Sequence, residues 1–141
     1  MNTQKIANAI AAKINAAIID INNKTDPVEL ENYDLVGFGA GIDSGKHYPQ
    51  MLKYIEKLPE VQNKKAFIFS TSAIYTKGKM LKDHKLLRNM LQNKGFVIVG
   101  EFSCKGYNTN SFLKYFGGMN KGRPNAGDIK NAEVFAENLL K

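Results

Sequence analysis

Apolar positions Ile6, Ala7, Ile10, Ala11, Ile14 and Ala17 recur at three- and four-residue spacing, with Lys5, Asn8, Lys13 and Asn15 between them. That period marks one face of an α-helix, so the chain is predicted to open almost directly into a helix capped by Thr3 or Asn2. Ala17–Ile21 then reads as a short strand, and the stretch from Asn22 to Asn32, with Pro27, as an irregular connection or a single helical turn. Asp34–Gly39 and Lys65–Phe69 are short continuous apolar runs of the kind found in strands buried on both faces. Each breaks into small residues, the first into a glycine loop ending at Gly45, the second into Ser70-Thr71-Ser72-Ala73. Helices are expected from Pro49, with Met51, Leu52, Ile55 and Leu58 inward, and over Met80–Lys94, closed by Gly95. Phe96–Phe102 is the next strand. From Ser103 to Gly127 no period holds, and an irregular stretch of that length is often functional. The last helix is predicted to start near Asp128 as N-cap and to bury Ile129, Ala132, Phe135, Ala136, Leu139 and Leu140.

Alternating strands and helices specify one α/β domain over residues 1–141, a parallel sheet covered by helices on both faces. Parallel strands that end in small-residue loops leave a crevice at one sheet edge, where such proteins bind flat, phosphate-bearing ligands.

Composition narrows the class. Hydrophobic residues make up 43% of the chain, yet no apolar run approaches the roughly 20 residues that span a bilayer. The start, Met1-Asn2-Thr3-Gln4-Lys5, lacks the apolar core of a signal peptide, so a cytoplasmic location without membrane insertion is expected. The single cysteine, Cys104, suits a reducing compartment and reads as a buried small hydrophobe. The net charge is +7, but the lysines are spread and no nucleic-acid module is visible, so no nucleic-acid partner is expected. Lys77, Lys79, Lys82 and Lys85 form the densest cluster, one that could face an acidic partner.

Three segments could carry a ligand. Ser70-Thr71-Ser72-Ala73-Ile74-Tyr75 offers backbone N–H groups and hydroxyls without filling the space a heterocycle needs; it is equally readable as a solvated turn whose serines cap a helix. The run Gly37-Phe38-Gly39-Ala40-Gly41-Ile42 lacks the third glycine and the acidic residue of a dinucleotide fingerprint. It reads instead as a demanding turn, or as backbone that a planar ligand can approach closely, with Ile42 or Tyr48 on the ligand face. Asn2-Thr3 stands at a helix N-terminus, which favours a phosphate or is simply a cap. His47, His84 and Cys104 lack metal-ligand spacing; both histidines read as surface groups, and no metal site or Ser–His–acid arrangement is expected.

Taken in order, Asn2-Thr3-Gln4-Lys5-Ile6-Ala7, Tyr33-Asp34-Leu35-Val36-Gly37-Phe38-Gly39 with Ala40–Gly45, and Ser70–Tyr75 resemble the flavodoxin family, and the resemblance covers essentially the whole chain. It implies a flavodoxin-like three-layer α/β/α sandwich that binds FMN without a covalent bond and exchanges electrons with redox partner proteins. By that resemblance the phosphate would meet Asn2 and Thr3. The flavin would meet Ala40, Gly41 and Ile42, and its pyrimidine edge Ser70, Thr71, Ser72 and Ala73, with Tyr75 beside it. The alternatives are an NAD(P)H-dependent quinone or FMN reductase of the same fold, or a chain that holds no flavin. The family begins with a strand and the first half of a phosphate loop, and neither has a counterpart here. The first strand is therefore expected to be missing, leaving Ala17–Ile21 to close against Asp34–Gly39 or another chain to fill the gap.

Overall fold

Strand β3 (Lys64–Ser72) explains the architecture, because its residues alternate between two separate cores. Ala66 and Ile68 face one side with Phe38, Ile55, Leu58, Leu87, Leu91 and Phe96. Phe67 and Phe69 face the other with Ile6, Ile10, Cys104, Ala132 and Ala136. A strand buried on both faces has to lie inside a sheet with a helical layer on each side, and its unbroken apolar run is the sequence mark of that position. The computed structural model describes residues 2–19, 21, 30, 33–43, 45–72, 76–105 and 125–140, without the side chains of Asn2 and Asp43.

Among the described residues the order is α1 (Asn2–Ile14), β1 (Leu35–Asp43), β2 (Lys46–His47), α2 (Pro49–Lys57), β3, α3 (Lys77–Asp83), α4 (Lys85–Asn93), β4 (Phe96–Lys105) and α5 (Ala126–Leu139). The sheet order is β2-β1-β3-β4. The three long strands are parallel, as expected, while β2 pairs antiparallel with the end of β1, so the sheet is mixed. Helices α1 and α5 cover one face, where Lys13 reaches Glu137 at 3.1 Å. The helices α2 and α4 cover the other, giving the expected three-layer α/β/α fold.

Several boundaries differ from expectation for identifiable reasons. Residues 16–19 form no strand, although Ala17-Ile18-Ile19 is β-prone; Ile18 and Ile19 stand exposed, and a strand needs a neighbour to bond and a face to bury. Asn15 instead turns left-handed (φ 54°) and ends α1, with Ala16 N–H donating to Ala11 C=O at 2.9 Å. The fourth strand of the sheet is thus β2 and not Ala17–Ile21. The expected helix Met80–Lys94 is two helices. It starts earlier, where Thr76 caps α3 by accepting from Lys79 N–H at 3.0 Å, and it breaks at His84. Gly95 follows α4 at φ 101°, as expected of a C-terminal glycine. Strand β4 runs on through Ser103, Cys104 and Lys105, three residues into the stretch expected to be irregular; residues 106–124 lie outside the described part. The last helix starts at Ala126, two residues before Asp128. Asn125 is its N-cap, and Asp128 completes a capping box by accepting from Asn125 N–H at 2.8 Å. Leu140, expected in the core, is 65% exposed. Cys104 is buried as expected.

The glycine run is the largest departure. Residues 40–43 continue β1 instead of leaving it as a loop, and the turn through Gly45 (φ 78°) leads straight into β2. A Cβ on Gly37 or Gly39 would lie 2.2 or 2.1 Å from the ring of Phe67 or Phe69. These two glycines therefore make room for the chain's own aromatic rings rather than for a ligand.

Candidate functional site at the C-terminal edge of the sheet

Three expected segments converge where β1 and β3 end. In the parallel register Ala40 faces Ser70 and Gly41 faces Thr71. Thr71 Oγ1 in turn lies 2.8 Å from Thr3 Oγ1, a hydrogen bond spanning 68 residues that fixes the first turn of α1 against the end of β3. The first-turn N–H groups of a helix have no intrahelical acceptor. In α1 that turn carries no acidic side chain, so its positive end is not neutralised from within. Tyr48 N–H donates to Gly41 C=O at 3.1 Å, and its ring lies directly over Gly41, where an added Cβ would be 2.8 Å from the ring. The phenol is 47% exposed, so a flat aromatic surface borders residues 40–42. Ser72 ends β3 and accepts from Lys79 Nζ at 3.2 Å. Asn2 contributes backbone at the start of α1, while Ala73 and Tyr75 lie outside the described residues.

Ser70 behaves differently from its neighbours. Its side chain points to the α2/α4 face, is fully buried, and donates to Ser103 Oγ at 2.8 Å. Its Oγ also lies 2.7 Å from His84 Nε2. His84 Nδ1 faces Glu101 Oε1 at 3.0 Å; a carboxylate can only accept, so Nδ1 carries the proton. Arg88 closes the network with two parallel bonds, Nε to Oε2 at 3.0 Å and Nη2 to Oε1 at 2.8 Å. Burial pushes the Glu101 carboxyl upward, but the bonds from His84 and Arg88, and the Arg88 charge, outweigh it and hold the group down at about 2. The connectivity Ser70–His84–Glu101 is that of a nucleophile, base and acid. With Ser70 and His84 both sealed from solvent it cannot reach a substrate, and it serves to brace the floor of the site.

Both histidines were expected at the surface and both are buried, because the network and the hairpin β1–β2 draw them in. His47 Nε2 lies 3.2 Å from Phe69 C=O, its ring centre is 4.9 Å from that of His84, and its Nδ1 has no hydrogen-bond partner among the described residues. Burial, then the neighbouring His84, pushes His47 down to about 4, partly offset by the bond to Phe69. The unfolded chain therefore takes up this proton first as pH falls. The stability His47 confers is complete above about pH 6.5 and is lost as pH drops through 4, about 3 kcal/mol in all. Urea unfolding should register that loss between pH 6.5 and 4, and in His47→Gln the slope over that window should flatten. An unchanged slope would place the acid sensitivity elsewhere.

His84, Arg88, Glu101 and Ser103 were not anticipated as a unit. One signal was present: the apolar run Phe96-Val97-Ile98-Val99 breaks at Gly100-Glu101. A bulge there shifts the register from Ala66↔Ile98 to Phe67↔Gly100, which turns Glu101 toward α4. Among the described residues no group of three His, Cys, Asp or Glu side chains could hold a metal, and no helix is long and apolar enough to cross a membrane. An open hollow of about 460 Å³ at the opposite sheet edge is lined by Asp34, Gln62, Asn63, Lys64 and Lys65. It lacks the convergence of three segments found at the C-terminal edge.

The same fold occurs in known proteins. The oxidised flavodoxin 1 of Bacillus cereus is 21% identical and superposes with a TM-score of 0.72 over 99% of this chain and 89% of that one. An NADH:FMN oxidoreductase in its apo form is 17% identical, with a TM-score of 0.64 over 100% of this chain and 83% of that one. An uncharacterized protein of Methanocaldococcus jannaschii is 51% identical over 140 residues, 99% of this chain and 91% of the relative. A family model described as a flavodoxin domain matches residues 1–139, and with it the chain belongs to the flavodoxin family.

Proposed function

We propose that this protein binds FMN non-covalently at the C-terminal edge of the sheet and passes electrons between partner proteins. The observation that carries the reading is the convergence of Thr3, Gly41 and Thr71, tied by the Thr3–Thr71 bond and the β1–β3 register. When bound, the flavin supplies the redox chemistry. The chain's own part is to hold and orient it. The α1 N-terminus and the Thr3 and Thr71 hydroxyls suit a phosphate, residues 40–42 with the Tyr48 ring suit a flat ring system, and Ser72 with Ala73 suits its polar edge. Ser70 would contribute backbone only, since its hydroxyl is engaged inside the core.

Titration of the purified protein with FMN, followed by flavin fluorescence and the visible spectrum, tests this. One FMN per chain is expected. Replacing Thr71 with valine should weaken FMN about tenfold or more, the scale of a hydrogen bond to a charged group, and leave riboflavin binding unchanged. No uptake of FMN would overturn the reading. The same preparation, supplied with NAD(P)H and a quinone, separates carrier from reductase: steady nicotinamide oxidation would favour the enzyme.

A further inference from the structure

We propose that the outer face of α3 and the start of α4 is the docking surface for an acidic protein partner, placed beside the site. Residues 77–93 hold five basic side chains and one acid, a net +4 of the chain's +7. Part of that charge is used internally: Lys79 pairs with Asp83, and Arg88 with Glu101. Lys77, Lys82 and Lys85 are exposed, and among the described residues no carboxylate pairs with them. Lys46, exposed on β2, extends the same surface, since Gly45 next to it lies against Asp83.

Two apolar groups sit among these lysines. Leu81 is 45% exposed and Leu86 42%, both on the outward arcs opposite buried Met80, Leu87 and Leu91. Half-exposed leucines ringed by cations match the apolar centre and charged rim of a transient protein interface. One exposed leucine on each of two helices, of seven and nine residues, is too little to seat them in a bilayer, and residues 77–86 hold no Phe, Tyr or Trp on which a base could stack. The surface is also held rigidly to the site. Thr76 caps α3, Lys79 reaches from α3 to Ser72, and His84 anchors the junction of the two helices to Ser70 and Glu101. A partner seated here adjoins the end of β3. That the partner is an electron carrier rests on the flavin reading; the docking itself does not.

The probe is an acidic plant-type [2Fe–2S] ferredoxin, titrated into the ¹⁵N-labelled flavin-free protein, with broadening and shift changes mapped by NMR. Changes are expected at residues 77–86, with binding weakened at least about tenfold between roughly 25 and 250 mM salt. The triple variant Lys77→Glu, Lys82→Glu, Lys85→Glu should lose about tenfold or more while keeping its thermal midpoint. The glutamine triple at these positions should lose less, and it stands in if the glutamates disturb folding. Vesicles of phosphatidylcholine with phosphatidylserine, and a DNA duplex, should not compete. Ferredoxin binding that is absent, or unchanged in both triples, overturns the proposal, as does tighter binding of vesicle or duplex than of ferredoxin. Ferredoxin binding that survives a failed FMN titration would uphold the docking surface and refute the flavin reading alone.

Discussion

Replacing Glu101 with alanine is expected to lower stability by about 3 kcal/mol, a drop of roughly 10 °C in Tm. The carboxylate is the common acceptor of a side chain fully buried, His84, and one mostly buried, Arg88. Removing it leaves the Arg88 cation with only the Leu81 C=O to bond, at 3.1 Å, and the buried His84 Nδ1–H without its acceptor, which costs more than the pair itself contributes. Glu101→Gln should fall between, since an amide oxygen can serve Arg88 or His84 but not both. Because the carboxyl is held at about 2, below its ordinary 4.5, its stability is present above about pH 4.5 and is lost as pH falls toward 2. That acid limb should vanish in the alanine variant. Urea unfolding at neutral pH within about 1 kcal/mol of wild type would show that the network does not brace the fold.

A comparable loss, about 3 kcal/mol or more, is expected for Gly95→Ala. Gly95 sits at φ 101°, and a Cβ there would lie 1.7 Å from Val61 C=O. The obstacle is backbone, so no side chain can swing aside. The neighbouring bond from Val61 N–H to Lys94 C=O at 2.7 Å pins the two segments together. Gly78→Ala is the matched control: nothing lies within 4 Å of its Cβ, and it is inside α3, so it should be neutral or stabilising by up to about 1 kcal/mol. Equal melting temperatures for the two variants would refute the packing argument.

What the sequence made legible follows from how local each cause is. Strand β3, the α1 period and the glycine after α4 are written within ten or so residues each, and all three were read correctly. The side-by-side placement of Asn2-Thr3, residues 40–42 and residues 70–72 was legible only as a joint resemblance. The Thr3–Thr71 bond that realises it joins positions far apart in the chain. His84 was misread because Lys82, Asp83 and Lys85 flank it, although Met80 and Leu87, at helical spacing, mark a buried face. What buries it is Glu101, aimed at α4 by a bulge that the break in the apolar run at Gly100 only hints at. Ala17–Ile21 failed in the opposite way, since β propensity without a bonding neighbour does not make a strand.

Gly37 and Gly39 also bear on how this sequence can change. On the α1/α5 face β1 has no side chains of its own at these positions, and the rings of Phe67 and Phe69 occupy that volume. The four residues share one allowance of space, so a methyl gained on β1 must be matched by atoms lost on β3. Over the history of such a chain, the unit that varies at this point is the cross-strand pair, and neither glycine nor phenylalanine is free to drift by itself.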